Sequence, residues 1–99
     1  MAKTPEGKVK DAIKKELNAR GIWFFMPASN GFGKVGIPDF VCCVNGKFLG
    51  IEAKAPGKRN NTTPNQDARI NEIRAARGWA IVADDVQQVK EFLDNVGHN

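Results

Sequence analysis

The chain has 99 residues, 15 of them basic and 11 acidic, for a net charge of +4. That length suits one domain spanning residues 1–99 with one modest core, and a basic domain suits a polyanionic partner such as nucleic acid. There is no Tyr, the single His is His98 and the single Ser is Ser29, which excludes a tyrosine recombinase, a topoisomerase and a GIY-YIG nuclease and argues against His-based metal or base chemistry.

Thr4-Pro5 reads as the N-cap and first position of a helix running to Asn18 or Ala19 and stopped by Gly21. Val9, Ile13 and Leu17 form its core stripe, with Glu6 on the same stripe. Lys8, Lys10, Lys14, Lys15 and Arg20 take the remaining surface, a solvated face or a face for phosphates. Ile22 to Met26 is an apolar strand ended by Pro27, and its unbroken apolarity predicts burial on both faces. The loop from Ala28 to Ile37 holds a formal G-x-G-x-x-G, Gly31 to Gly36, but Pro38 and a strand follow where a dinucleotide site needs a helix. A mobile loop carrying Phe32 and Lys34 beside the functional face is expected instead.

The central stretch runs from Gly36 to Lys54. Two apolar runs, Phe40 to Val44 and Phe48 to Ile51, flank Asn45-Gly46, the strongest short signal for a hairpin with a type I′ turn. A two-residue turn pairs Val44 with Lys47 and, further out, Asp39 with Glu52. That last pair is non-hydrogen-bonded, with Cα atoms about 4.5 Å apart, and Lys54 shares its face. Two carboxylates at that spacing repel by roughly 4 kcal/mol at an effective dielectric of about 20. A divalent cation reverses the sign, and Mg²⁺ takes carboxylate, water and phosphate oxygens. The plainer reading is a surface hairpin with Lys54 neutralising one acid, but the Val, Cys, Phe, Leu and Ile around these positions argue against a solvated face. Cys42 and Cys43 are neighbours on a strand, point to opposite faces and cannot pair, so a reduced, intracellular protein is expected. No apolar run is long enough to cross a membrane.

Ala55 to Thr62 is a polar, basic loop that puts Lys58 and Arg59 where substrate phosphates would be. Thr63-Pro64 starts a second helix ending near Arg77, with Gly78 as its C-cap and Gln66, Ile70, Ile73 and Arg77 on one face. An inward Gln66 needs hydrogen-bond partners, at the helix start or in a site. Trp79 to Ala83 is a further strand. Asp85 with Gln88 resembles a capping box for a third helix, with Val86, Val89, Leu93 and Val96 inward. The order α-β-β-β-α-β-α predicts an α/β fold, a mixed sheet flanked by helices.

Pro38-Asp39 followed by Glu52-Ala53-Lys54 fits the PD-(D/E)XK nuclease signature. With Glu6 on the first helix and Thr63-x-x-Gln66 opening the second, the chain resembles a VRR-NUC domain, the virus-type replication-repair nuclease branch, in its small stand-alone phage and bacterial form. The resemblance implies a restriction-endonuclease-like core with a mixed four-stranded sheet. It implies a Mg²⁺- or Mn²⁺-dependent endonuclease, with the ion on Asp39, Glu52 and the Ala53 carbonyl, Lys54 acting on the attacking water, Gln66 assisting, and Glu6 completing the metal shell or only favouring its helix start. Lys8, Lys10, Lys34, Lys58 and Arg59 would contact DNA. Similarity to Holliday junction resolvases implies branched DNA, a homodimer, and the cytoplasm of a bacterium or of a phage-infected host. A nicking, flap or restriction-type nuclease, and a non-catalytic DNA-binding module, are the competing expectations.

Overall fold

Seven elements follow one another as α1 (Pro5–Ala19), β1 (Trp23–Phe25), β2 (Phe40–Val44), β3 (Lys47–Ala53), α2 (Pro64–Ala75), β4 (Trp79–Ala83) and α3 (Val86–Asn95). The structure, a computed structural model, describes residues 3–28 and 33–98. The sheet order is β1-β2-β3-β4, antiparallel across the first two junctions and parallel between β3 and β4. This is the expected mixed four-stranded sheet flanked by helices.

The hairpin has the predicted register, from Val44↔Lys47 out to Phe40↔Ile51. Asn45 and Gly46 take the positive φ values, 52° and 77°, that a type I′ turn demands. No bulge interrupts the ladder at Gly50, which pairs with Val41. Gly50 is there for space, since a Cβ on it would lie 2.8 Å from the Pro38 ring and 3.3 Å from Ile73 of α2. Alternate strand residues point to opposite faces, so α2 covers the face that carries Gly50, Glu52 and Lys54. Ile51 points the other way, into the core with Val9, Ile13 and Leu17 of α1 and Val89 and Leu93 of α3.

Several boundaries and exposures differ from expectation. Strand β1 is shorter than predicted and lies at the sheet edge, with Trp23 65 % and Phe25 48 % exposed rather than buried on both faces. A three-residue strand paired on one side cannot hide aromatics on the face that α2 leaves uncovered. Helix α2 ends at Ala75, and Arg77 rather than Gly78 takes the left-handed conformation, φ 69°. Gly78 donates to the Ile73 carbonyl and packs where a Cβ would touch the Ile73 side chain. The N-cap of α3 is not a reciprocal box. Asp85 accepts from Gln87 N–H, while the Gln88 amide bonds back to the Asp84 N–H and carboxylate. Arg20, expected on the solvated face, is partly buried and ties α1 to the end of α3 through Glu16, Asp94 and the His98 carbonyl.

The segment before Pro38 is laid against α2 rather than hanging free. Val35 O accepts from Arg69, Lys34 pairs with Glu72 at 3.3 Å, and a Cβ on Gly36 (φ 80°) would lie 2.4 Å from the Asn65 carbonyl carbon. Phe32 and Gly31 lie outside the described residues. Gly50→Ala should force Pro38 and Ile73 apart and cost about 1–3 kcal/mol, at about 4–8 °C of melting temperature per kcal/mol. Thermal unfolding followed by circular dichroism measures this, and an unchanged melting temperature would show that the close approach does not constrain α2.

Candidate active site

Glu52 is the buried charged residue among the described residues, 4 % exposed near the C-terminal end of β3. Its carboxyl lies against Asp39, one residue before β2, as the hairpin register requires. Burial pushes the Glu52 carboxyl up to about 8, and the hydrogen bond and charge of Asp39 push the same way, against the opposing pull of Lys54 and Lys10. The raised value keeps the proton on the Glu52 carboxyl beside Asp39 at neutral pH.

The surrounding side chains form one connected network. Gln66 N–H of α2 donates to Thr63 Oγ1, and Gln66 Oε1 accepts from Thr63 N–H, so the two residues make a reciprocal capping box. The same Oε1 accepts from Lys54 Nζ at 2.8 Å, and Gln66 Nε2 donates to Glu52 Oε2 at 3.2 Å. Two donors on one atom identify it as the oxygen, which leaves the amide nitrogen for Glu52. Capping and site contact are therefore one arrangement, not alternatives. On the far side, Asp39 Oδ2 accepts from Ala53 N–H at 2.9 Å. Lys54 N–H donates to Ala83 O on β4. The Ala53 N–H and C=O, which point to one side of an extended strand, both face Asp39.

Glu6 and Lys10 depart from the expected roles. Lys10 Nζ stands 3.4 Å from Asp39 Oδ1 and 3.4 Å from Glu6 Oε2, so Glu6 is separated from the acid pair by an ammonium. Burial lowers the Lys10 pKa, but the carboxylates of Asp39 and Glu6 outweigh it and hold the ammonium protonated. Lys10, expected on a phosphate-facing surface, is thus the counterion of Asp39. The Glu6–Lys10 spacing of one helical turn was a readable sign of a pair, but its reach to Asp39 depends on how α1 docks. Lys34 is engaged with Glu72, and Arg59 Nε donates to the Val82 carbonyl at 2.8 Å. Lys8 and Lys58 are exposed, with no side-chain bond among the described residues.

Among the described residues no three His, Cys, Asp or Glu side chains cluster. The side-chain donors at this place are two hard carboxylates beside a backbone carbonyl. That set fits Mg²⁺ or Mn²⁺, since Mg²⁺ commonly takes one or two carboxylates and keeps waters. The sequence matches no family model and no curated protein. A solved structure described as a VRR_NUC domain superposes with a TM-score of 0.71 at 23 % identity, covering 93 % of this chain and 97 % of that one. The chain has the VRR_NUC fold.

Between the ordinary glutamate range and pH about 8, the folded chain keeps a proton on Glu52 that the unfolded chain has lost. Stability without metal should therefore fall as pH rises through that window. Glu52→Gln should remove this component, matching wild type near pH 5 and exceeding it at pH 8 by on the order of 1–3 kcal/mol. Urea unfolding in EDTA at the two pH values measures the difference. Equal stabilities at both would mean that Glu52 ionises normally.

Proposed function

We propose that this chain is a PD-(D/E)XK-type nuclease of the VRR-NUC kind, hydrolysing phosphodiester bonds in DNA with Mg²⁺ or Mn²⁺. The observation that carries this reading is the buried Glu52 carboxyl set against Asp39, with Lys54 held beside it by Gln66. A fold needs no buried like-charged pair for its own stability. The VRR_NUC fold supports the same reading.

Asp39, Glu52 and the Ala53 carbonyl would hold the ion, which when bound supplies a Lewis acid for the phosphate and lowers the pKa of water. The chain's own groups do the rest. Glu52 would have to be ionised to hold the ion, so metal affinity should rise with pH. Lys54 Nζ, held against Gln66 Oε1, donates to the charge that builds on the phosphate or to the attacking water. Gln66 is a positioning residue, since it holds both Lys54 and Glu52 and is itself fixed by the first turn of α2. Lys10 steadies Asp39 from the side away from Ala53 N–H, each on a different oxygen. Glu6 belongs to this arrangement through Lys10.

Branched DNA and a homodimer extend the reading. A four-way junction needs two symmetric cuts, and a C₂ pair supplies two sites. The exposed Trp23 and Phe25 on edge strand β1, packed edge to face at 5.8 Å, favour a second copy there.

Cleavage of a labelled four-way junction, a linear duplex and a flap, each with Mg²⁺, Mn²⁺ or EDTA, tests the proposal. Paired symmetric cuts in the junction alone are expected, lost in Asp39→Asn and reduced about 10²–10³-fold in Lys54→Met. Equal cutting of all three would keep the nuclease and discard the junction preference. Binding without cutting under either metal would leave a DNA-binding module. In parallel, Mg²⁺ should raise the melting temperature of the wild type and not of Asp39→Asn, by about 2.7 kcal/mol of stabilisation at a hundredfold excess over Kd.

A further inference from the structure

The two edges of the sheet are treated differently. Along β4, the outward carbonyls of Ala80 and Val82 are both taken by arginines. Arg74 of α2 donates to Ala80 O through Nε at 3.2 Å and Nη2 at 2.8 Å. Arg59, from the loop after β3, donates to Val82 O through Nε at 2.8 Å. Neither guanidinium forms an ion pair among the described residues, whereas Arg20 and Arg69 each hold a carboxylate. The nearby acids are otherwise engaged. Asp84 accepts from Gly57 N–H and Gln88, feeling Arg59 only as a minor charge, and Asp67 accepts from Thr62 Oγ1.

Between these arginines lies a groove of about 320 Å³, lined also by Asn60, Thr62, Ile81 and Val82. An arginine has five N–H donors, and the edge carbonyls take one from Arg59 and two from Arg74. The guanidiniums are held by backbone, carry positive charge with no counterion among the described residues, and keep donors in the fork geometry that suits phosphate. Ala80 and Val82 are two residues apart on one strand, so the two forks are anchored roughly 6.6 Å apart along it. Val82 is also the direct register partner of Glu52. The groove therefore lies one strand away from the acid pair, at the same height in the sheet.

We propose that the Arg59–Arg74 groove on the outer edge of β4 is a phosphate-binding subsite for the nucleic-acid backbone beyond the scissile bond. It rests on the nuclease reading and gives Arg74 a role there. Edge protection explains the bonds to the carbonyls but not two unpaired guanidiniums facing a shared polar groove.

Fluorescence anisotropy of a labelled DNA duplex in EDTA, from 50 to 200 mM salt, tests it on the full chain. Arg59→Gln and Arg74→Gln should each reduce the slope of log K against log salt by about 0.9, the value for one lost phosphate contact. Asn60→Asp adds a carboxylate to the groove without touching either arginine bond, so it decides the matter should the arginine variants unfold. It should weaken binding about three- to tenfold, and Asn60→Lys should strengthen it. Wild-type affinity and slope in all four variants would overturn the subsite and leave the nuclease reading standing, provided the wild type binds. A wild type that neither binds nor cleaves DNA would remove the nuclease reading and this subsite with it.

Discussion

Everything in this chain turns on a repulsion that the fold brings about and then contains. Asp39 and Glu52 are forced together by the two-residue Asn45-Gly46 turn, since that turn sets a register in which they face each other. Left alone, the pair would weaken the outer end of the hairpin. The structure contains it with burial that keeps Glu52 protonated, Lys10 on one Asp39 oxygen, Ala53 N–H on the other, and Gln66 Nε2 on Glu52. Each of these partners comes from a different element, so α1, β3 and α2 are all held to one point at the open end of the sheet.

Helix α2 has the most constrained position. Its first turn is capped by Thr63 and Gln66, and Gln66 also holds Lys54 and Glu52. Its body lies on Gly50, which has no side chain to hold it away, and Gly36 packs against its second residue. A shift of this helix by even one residue would break the cap and the site together. Such coupling suits chemistry that depends on placing charges within a fraction of an ångström, because the groups that position the site are the groups that end the helix.

The edges of the sheet carry the remaining asymmetry. Edge strand β4 has Ala80 and Val82 carbonyls taken by Arg74 and Arg59, and it lies beside the acid pair. Edge strand β1 carries exposed Trp23 and Phe25 with no charged residue in the strand. An open apolar edge is suited to pairing, and a closed cationic edge to a polyanion.

The sequence by itself determined the element order, the hairpin register and the juxtaposition of Asp39, Glu52 and Lys54, because a two-residue turn and a period of two leave no freedom along the five residues of β2 and the seven of β3. It also contained the cap at Thr63 and the core stripes of α1 and α3, which follow from local periodicity. Tertiary structure alone decided the rest. Lys10 looked like one more lysine on a basic face until α1 docked and swung it onto Asp39. Gln66 could be a cap or a site residue until α2 docked over Gly50 and made it both. The apolarity of β1 predicted burial, but whether an apolar strand is covered depends on its place in the sheet, and β1 is at the edge. Arg59 and Arg74 are fifteen positions apart and meet only because both reach the carbonyls of one strand. Local rules see spacing within an element. Which side chains meet across elements is set by packing, and packing is a property of the whole chain.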